Sequence, residues 1–88
     1  MYELRFDEKT IEFLNKLPEK ARARIHSKIV SAKENPFHFF ESLKEMGSFK
    51  LRVGDFRVIA DIDRASKLIE VRLIGHRKNV YKKICNKY

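Results

Sequence analysis

Between Lys50 and Arg57 the chain reads KLRVGDFR, and the spacing of its cations is the first sign of chemistry. Gly54 and Asp55 suit the two central positions of a type II′ hairpin turn, with Val53 and Phe56 closing the ladder on either side. That register sets Arg52 opposite Arg57 on one face, where like charges repel. Lys50 shares the face. Cations held together with no acid between them suit phosphate, which guanidinium groups engage through charge-assisted, often bidentate hydrogen bonds. If the arginine pair is held for that purpose, removing one partner relieves repulsion and stabilises the fold by about a few tenths of a kcal/mol. The segment GHRKNVY, residues 75–81, then places His76, Arg77, Lys78 and Tyr81 just after the strand that borders this face. His76 is a candidate for proton transfer, because histidine is the side chain that ordinarily changes charge near neutral pH. Tyr81 would stack on a base, or move a proton if nearby cations lowered its pKa. The plainer alternatives are a solvated sheet face for the cations and a hydrogen-bonded strand end for His76.

These residues need a sheet with one face free. YELRF is a short first strand, followed by Asp7 as an N-cap with Phe6 and Ile11 as a hydrophobic staple. Ile11, Leu14 and Leu17 form the apolar stripe of a first helix, which Pro18 ends. Ala21, Ile25, Ile29 and Ala32 recur at helical spacing in a second helix that stops before Pro36. Lys20, Arg22, Arg24 and Lys28 lie on its other side, as a solvated surface. Phe37 to Gly47 is apolar-rich and aperiodic, a packed connection. From Phe49 the period becomes two: Phe49, Leu51 and Val53, then Phe56, Val58, Ala60 and Ile62, then Ile69, Val71 and Leu73 share the buried parity. Gly75 interrupts the last strand, and Val80, Tyr81, Ile84 and Cys85 suit a short final helix.

The order implies an α+β domain, with the N-terminal strand and helical hairpin packed on one face of a four-stranded antiparallel sheet and a short C-terminal helix. Ile11, Leu14, Ile25 and Ile29 are expected to meet Phe56, Val58, Val71 and Leu73. Lys50, Arg52 and Arg57 gather at one end of the open face, while Asp61 and Glu70, with Arg72, gather at the other. His26 and His38 fall away from the cations and take structural roles.

At 88 residues the chain is one domain, 1–88, burying about 60–65% of its unfolded surface. Its net charge of +8 favours RNA, DNA or an acidic protein segment as partner. The single Cys85 cannot form an intramolecular disulfide, which fits a reducing cytoplasm. No apolar run reaches membrane-spanning length, and the N-terminus carries acids where a signal peptide needs apolar residues. No group of histidines, cysteines and carboxylates has metal-ligand spacing, so neither metal nor other cofactor is expected.

With FDEKTIEFLNKLPEKARARI, FKLRVGDFRVIADID and IGHRKNVYKK in that order, nearly the whole chain resembles the RelE/ParE superfamily of type II toxins. Its RelE branch is the nearer in length and in the closing glycine, basic residue, arginine and tyrosine. The resemblance implies a RelE-like, microbial-RNase-like fold and a metal-independent, ribosome-dependent mRNA endonuclease held inactive by a RelB-like antitoxin, in a complex that binds operator DNA. It also implies catalytic or substrate-orienting roles for Lys50, Arg52, Arg57, Arg77 and Tyr81. Ser48 stands where a studied member carries a further lysine, and His76, at an often basic position, would compensate. The segment from Arg77 to Tyr81 is shorter than in that member. Two alternatives stay open: a ParE-like toxin that binds DNA gyrase, and a non-catalytic nucleic-acid-binding regulator.

Overall fold

The computed structural model describes residues 1–43 and 47–80. The elements are β1 (Glu3–Phe6), α1 (Glu8–Asn15), α2 (Glu19–Ser31), α3 (Pro36–Phe39), β2 (Glu41–Leu43), β3 (Ser48–Val53), β4 (Phe56–Asp63) and β5 (Leu68–His76). A helical turn over residues 77–80 follows directly. Tyr81, Ile84 and Cys85, expected in the last helix, lie outside the described residues.

The local signals largely act as expected. Asp7 is extended and accepts the Lys9 N–H at its carboxylate, capping α1. The second helix presents Ile25, Ile29 and Ala32, all fully buried, to the sheet. Burying an isoleucine of this kind contributes about 1.5–3 kcal/mol. Leu51, Val53, Val58, Ala60, Ile69 and Val71 complete the same core from the strands. Ile11 is a correction: it is 45% exposed, because α1 turns Leu14 and Phe13 toward the core in its place.

The sheet corrects the expected topology. It has five strands, in the order β1-β5-β4-β3-β2, and it is mixed, because β1 runs parallel to β5 while the other pairs are antiparallel. The added strand comes from the segment expected to be a connection. Phe37 sits edge-on to Tyr2 and Phe49 and Phe40 is 4% exposed. These rings bring the next three residues alongside β3, where Glu41 pairs with Lys50 and Leu43 with Ser48.

A second correction concerns parity. Ala60 pairs with Val71 and Ile59 with Leu73, which leaves Arg72 as an extra residue on β5. Such a bulge swaps the faces of all that follows. Leu73 therefore leaves the helix side, and Ile74, 1% exposed, takes its place there. On the far side Leu73 joins Ile59, Leu43 and Val80 in a separate apolar cluster. The face expected to be open is thus capped at its middle by Val80. The β5 strand also continues through Gly75, over which Val80 packs: a Cβ there would be in ordinary contact with the valine's, at 3.6 Å.

Candidate functional site

The opening hairpin forms as its residues dictate. Gly54 has φ +58°, and Lys67 is the only non-glycine residue with positive φ among those described. Asp55 therefore keeps negative φ, which makes the turn type II′ and excludes type I′. Val53 pairs with Phe56 and Arg52 with Arg57.

The repulsion expected across that pair is relieved by an arrangement the sequence does not display. Arg57 is only 7% exposed, and its Nη1 donates to the carbonyls of Gly54 and Phe56, both at 2.8 Å. The guanidinium braces the turn it follows. Among the described residues no buried side-chain nitrogen lacks a partner, so its other N–H groups retain access to solvent. Loss of Arg57 removes two charge-assisted hydrogen bonds that brace the turn, so the expected gain in stability becomes an expected loss. Arg52 is exposed. Lys50 is not acid-free, as its spacing had implied: Glu41, delivered by β2, lies 3.7 Å away.

Arg77 joins the group through its backbone. Its N–H donates to the Asp55 carbonyl at 2.8 Å, fastening the segment after β5 to the hairpin turn. The exposed Arg77 is thereby held at the same end of the sheet as Arg52 and Arg57. His76 is not. It pairs with Phe56, on the face opposite Arg57, and the two rings meet edge-on at 6.1 Å. Its Nδ1 accepts the Lys78 N–H at 3.3 Å, capping the helical turn, which is the strand-end role. Tyr81 lies outside the described residues.

At the other end of this face one arginine meets two carboxylates. Arg72 lies 3.0 Å from Glu70 and 3.6 Å from Asp61. Ser48 donates its hydroxyl to Asp61 at 2.9 Å. It belongs to the acidic end and not to the cation group.

The sequence reading missed Arg24, assigned to a solvated surface. Its guanidinium Cζ, Nη1 and Nη2 all stand 3.4 Å from the point a Gly54 Cβ would occupy, so the flat group lies against the turn. The spacing of Arg24 and Lys28 already put them on one side of α2, but only the packing of α2 beside β3 reveals what that side faces. Among the described residues no group of three or more histidine, cysteine or acidic side chains could hold a metal ion. No helix among them is long and apolar enough to cross a membrane.

The family model described as the ParE toxin of the type II toxin-antitoxin system parDE matches residues 4–81. Among solved structures, the chain is similar to a chain of the toxin-antitoxin complex RelBE2 from Mycobacterium tuberculosis, with TM-score 0.79 and 24% identity over 86% of this chain and 98% of that one. The isolated RelE toxin of E. coli matches with TM-score 0.75 and 21% identity over 99% and 98%. A chain of the archaeal RelE-RelB complex from Pyrococcus horikoshii matches with TM-score 0.75 and 22% identity over 86% and 94%. No curated protein matches.

Proposed function

The chain belongs to the ParE toxin family, within the RelE/ParE superfamily of type II toxin-antitoxin toxins, and from that premise we propose that it is an endoribonuclease that cuts messenger RNA on the ribosome. The observation that carries this reading is the bond from Arg77 to the hairpin turn, which gathers Arg52, Arg57 and Arg77 at one end of the sheet.

In the proposed reaction the ribose 2′-oxygen attacks the adjacent phosphorus and the bond to the 5′-oxygen breaks, leaving a cyclic phosphate and a 5′-hydroxyl. The 2′-hydroxyl proton leaves to a base, and the departing oxygen takes up a proton. Charge grows on the phosphoryl oxygens meanwhile, and fixed donors aimed there supply the largest usual catalytic contribution. Arg57 suits that task because its Nη1 is already committed to the turn, so little freedom is lost on meeting phosphate. Arg77 supplies a second such donor, while Arg52 and Lys50 orient the strand. Tyr81 is proposed to stack on a base or move a proton. The partner is a RelB-like antitoxin that covers the basic end, a proposal supported by the RelB-RelE complexes among the similar structures. Operator DNA is proposed as a ligand of that complex.

Translation of a message in vitro, followed by primer extension, tests the reading. Cuts that vanish with Arg57→Ala and Arg77→Ala but persist with Arg22→Ala support it. The family model's description favours a second reading, inhibition of DNA gyrase. Intact messages together with blocked supercoiling by purified gyrase would replace the first reading with the second.

A further inference from the structure

Beside the arginines at the hairpin turn, the free stretch of β3 and the outer side of α2 enclose a shallow cleft of about 290 Å³, lined by Arg24, Ser27, Lys28, Arg52, Val53 and Gly54. The lining contains no carboxylate. Among the described residues, no acid lies within ion-pairing distance of Arg24, Lys28 or Arg52. Two local features hold the cations in place. Arg24 lies flat against Gly54, and the Lys28 ammonium sits 5.7 Å from the centre of the Phe39 ring.

The strand contributes a main-chain donor. In a two-residue hairpin closed by Val53 and Phe56, the next pair, Arg52 with Arg57, exchanges no backbone hydrogen bonds, so the Arg52 N–H turns outward from β4. The pairing of β2 on β3 stops at Lys50, and among the described residues no strand covers Arg52. The side chains of Arg24 and Lys28 from α2, Ser27 and the Arg52 amide thus border one open concavity, with the Arg52 side chain on the adjoining open face. That is the donor set of a phosphate site. At about 30 Å³ for each water of the liquid, the cleft holds on the order of ten waters, room for a hydrated phosphodiester group.

We propose that this cleft binds a backbone phosphate of the RNA strand flanking the one that is cut, fixing the strand's position and not taking part in bond breaking. The proposal rests on the RNA-cleaving reading, and Arg52 joins the two sites. Arg24 and Lys28 are positioning residues on this account. Their loss weakens binding and raises the half-saturating concentration of message-bearing ribosomes, and leaves the rate at saturation unchanged.

The test uses the full chain and a short single-stranded RNA, 2′-O-methylated so that it cannot be cut, with binding followed by fluorescence anisotropy across a salt series. The double variant Arg24→Ala/Lys28→Ala is expected to bind about tenfold more weakly, and its dependence of log affinity on log salt is expected to be shallower by roughly 0.7 for each phosphate that it no longer neutralises. Arg22→Ala, on the same helix but lining a different groove, is the control. Arg24→Gln/Lys28→Gln, checked by melting curves, guards against a folding defect. Binding and salt slope equal to the control would overturn the cleft while leaving the cutting reading to the Arg57→Ala result. A weakened variant of a protein that cuts no message would sustain the cleft and overturn the cutting reading. If affinity for polyglutamate falls and affinity for RNA does not, the ligand is an acidic peptide and the proposal fails.

Discussion

Two arginines on the same side of the sheet, Arg72 and Arg57, live in opposite surroundings. Arg72 stands on a bulge between Glu70 and Asp61, so its charge is cancelled where it sits. Arg57 is buried against the carbonyls of Gly54 and Phe56, which satisfy its hydrogen bonds without cancelling its charge. Neutral acceptors let a cation be packed and oriented while its field still reaches solvent. Arg52 and Arg77 reinforce that field at the turn, whereas the acidic end, with two carboxylates to one arginine, is net negative. An anion approaching this face is therefore drawn to the hairpin end.

The severest way to break the comparison is to disturb the strand parity on which both ends depend. Val58, fully buried beside Arg57, should not tolerate Val58→Lys, which buries an unpaired charge at a cost of several kcal/mol, about 2–7 on the scale of unsatisfied polar groups. A thermal melt like that of the parent would show the parity to be wrong.

Next in size is Arg57→Ala, expected to lower message cleavage by about 10²-fold or more, as when a donor to developing charge is lost. Because two charge-assisted hydrogen bonds at the turn are lost, it is also expected to destabilise the fold by about 1.5–3 kcal/mol, measured by chemical denaturation. An equally stable Arg57→Ala protein that cuts at the parental rate would remove the contrast with Arg72. Arg77→Ala sharpens it: its backbone bond to Asp55 survives the substitution, so cleavage should fall comparably with little change in stability.

At the other end, Arg72→Ala removes two ion pairs from a half-exposed side chain, worth about 0–1 kcal/mol after screening. Cleavage should stay within about twofold, since the lost charge was already balanced by its neighbours. A large fall in activity would mean that the acidic end belongs to the site.

The smallest effect concerns the turn after β4. Hydrogen bonds from the Ser66 hydroxyl, then from the Ser66 and Ala65 amides, hold the Asp63 carboxyl below its ordinary value. A carboxyl lowered by folding stabilises above its unfolded pKa and loses that contribution as pH falls through the folded value. The turn should therefore loosen only below about pH 4. Amide shifts of Ala65 and Ser66 followed by NMR should show this, and Asp63→Asn should abolish the transition.

Legibility in the sequence followed the range of the forces involved. Asp7, Gly54 and the Ile25/Ile29 stripe act through neighbours a few residues away, and each stands as its spacing implied. The register of Arg52 on Arg57 was readable for the same reason. The strand Glu41–Leu43 is too short to show a period and forms because distant aromatic rings place it on β3. The bulge at Arg72 leaves no mark in composition, yet it moves Leu73 across the sheet and puts His76 on the face opposite Arg57. Arg24 reaches Gly54 only through tertiary packing, so its charge looked like solvation. The burial of Arg57 was hidden similarly, since carbonyl partners carry no side-chain signature.

The parallel pairing of β1 with β5 bears on the order in which this protein can be assembled during synthesis. Glu3 finds Leu68 and Phe6 finds Val71, so the earliest strand waits for the latest. The β3-β4 and β4-β5 hairpins close short loops, but β1 must close one spanning every intervening element, and such long-range closure is slow. A nascent chain halted before Leu68 has no edge on which β1 can dock, and a chain halted before Arg77 cannot tie its last arginine to the hairpin turn. Translation must pass Arg77 before the basic end can take shape.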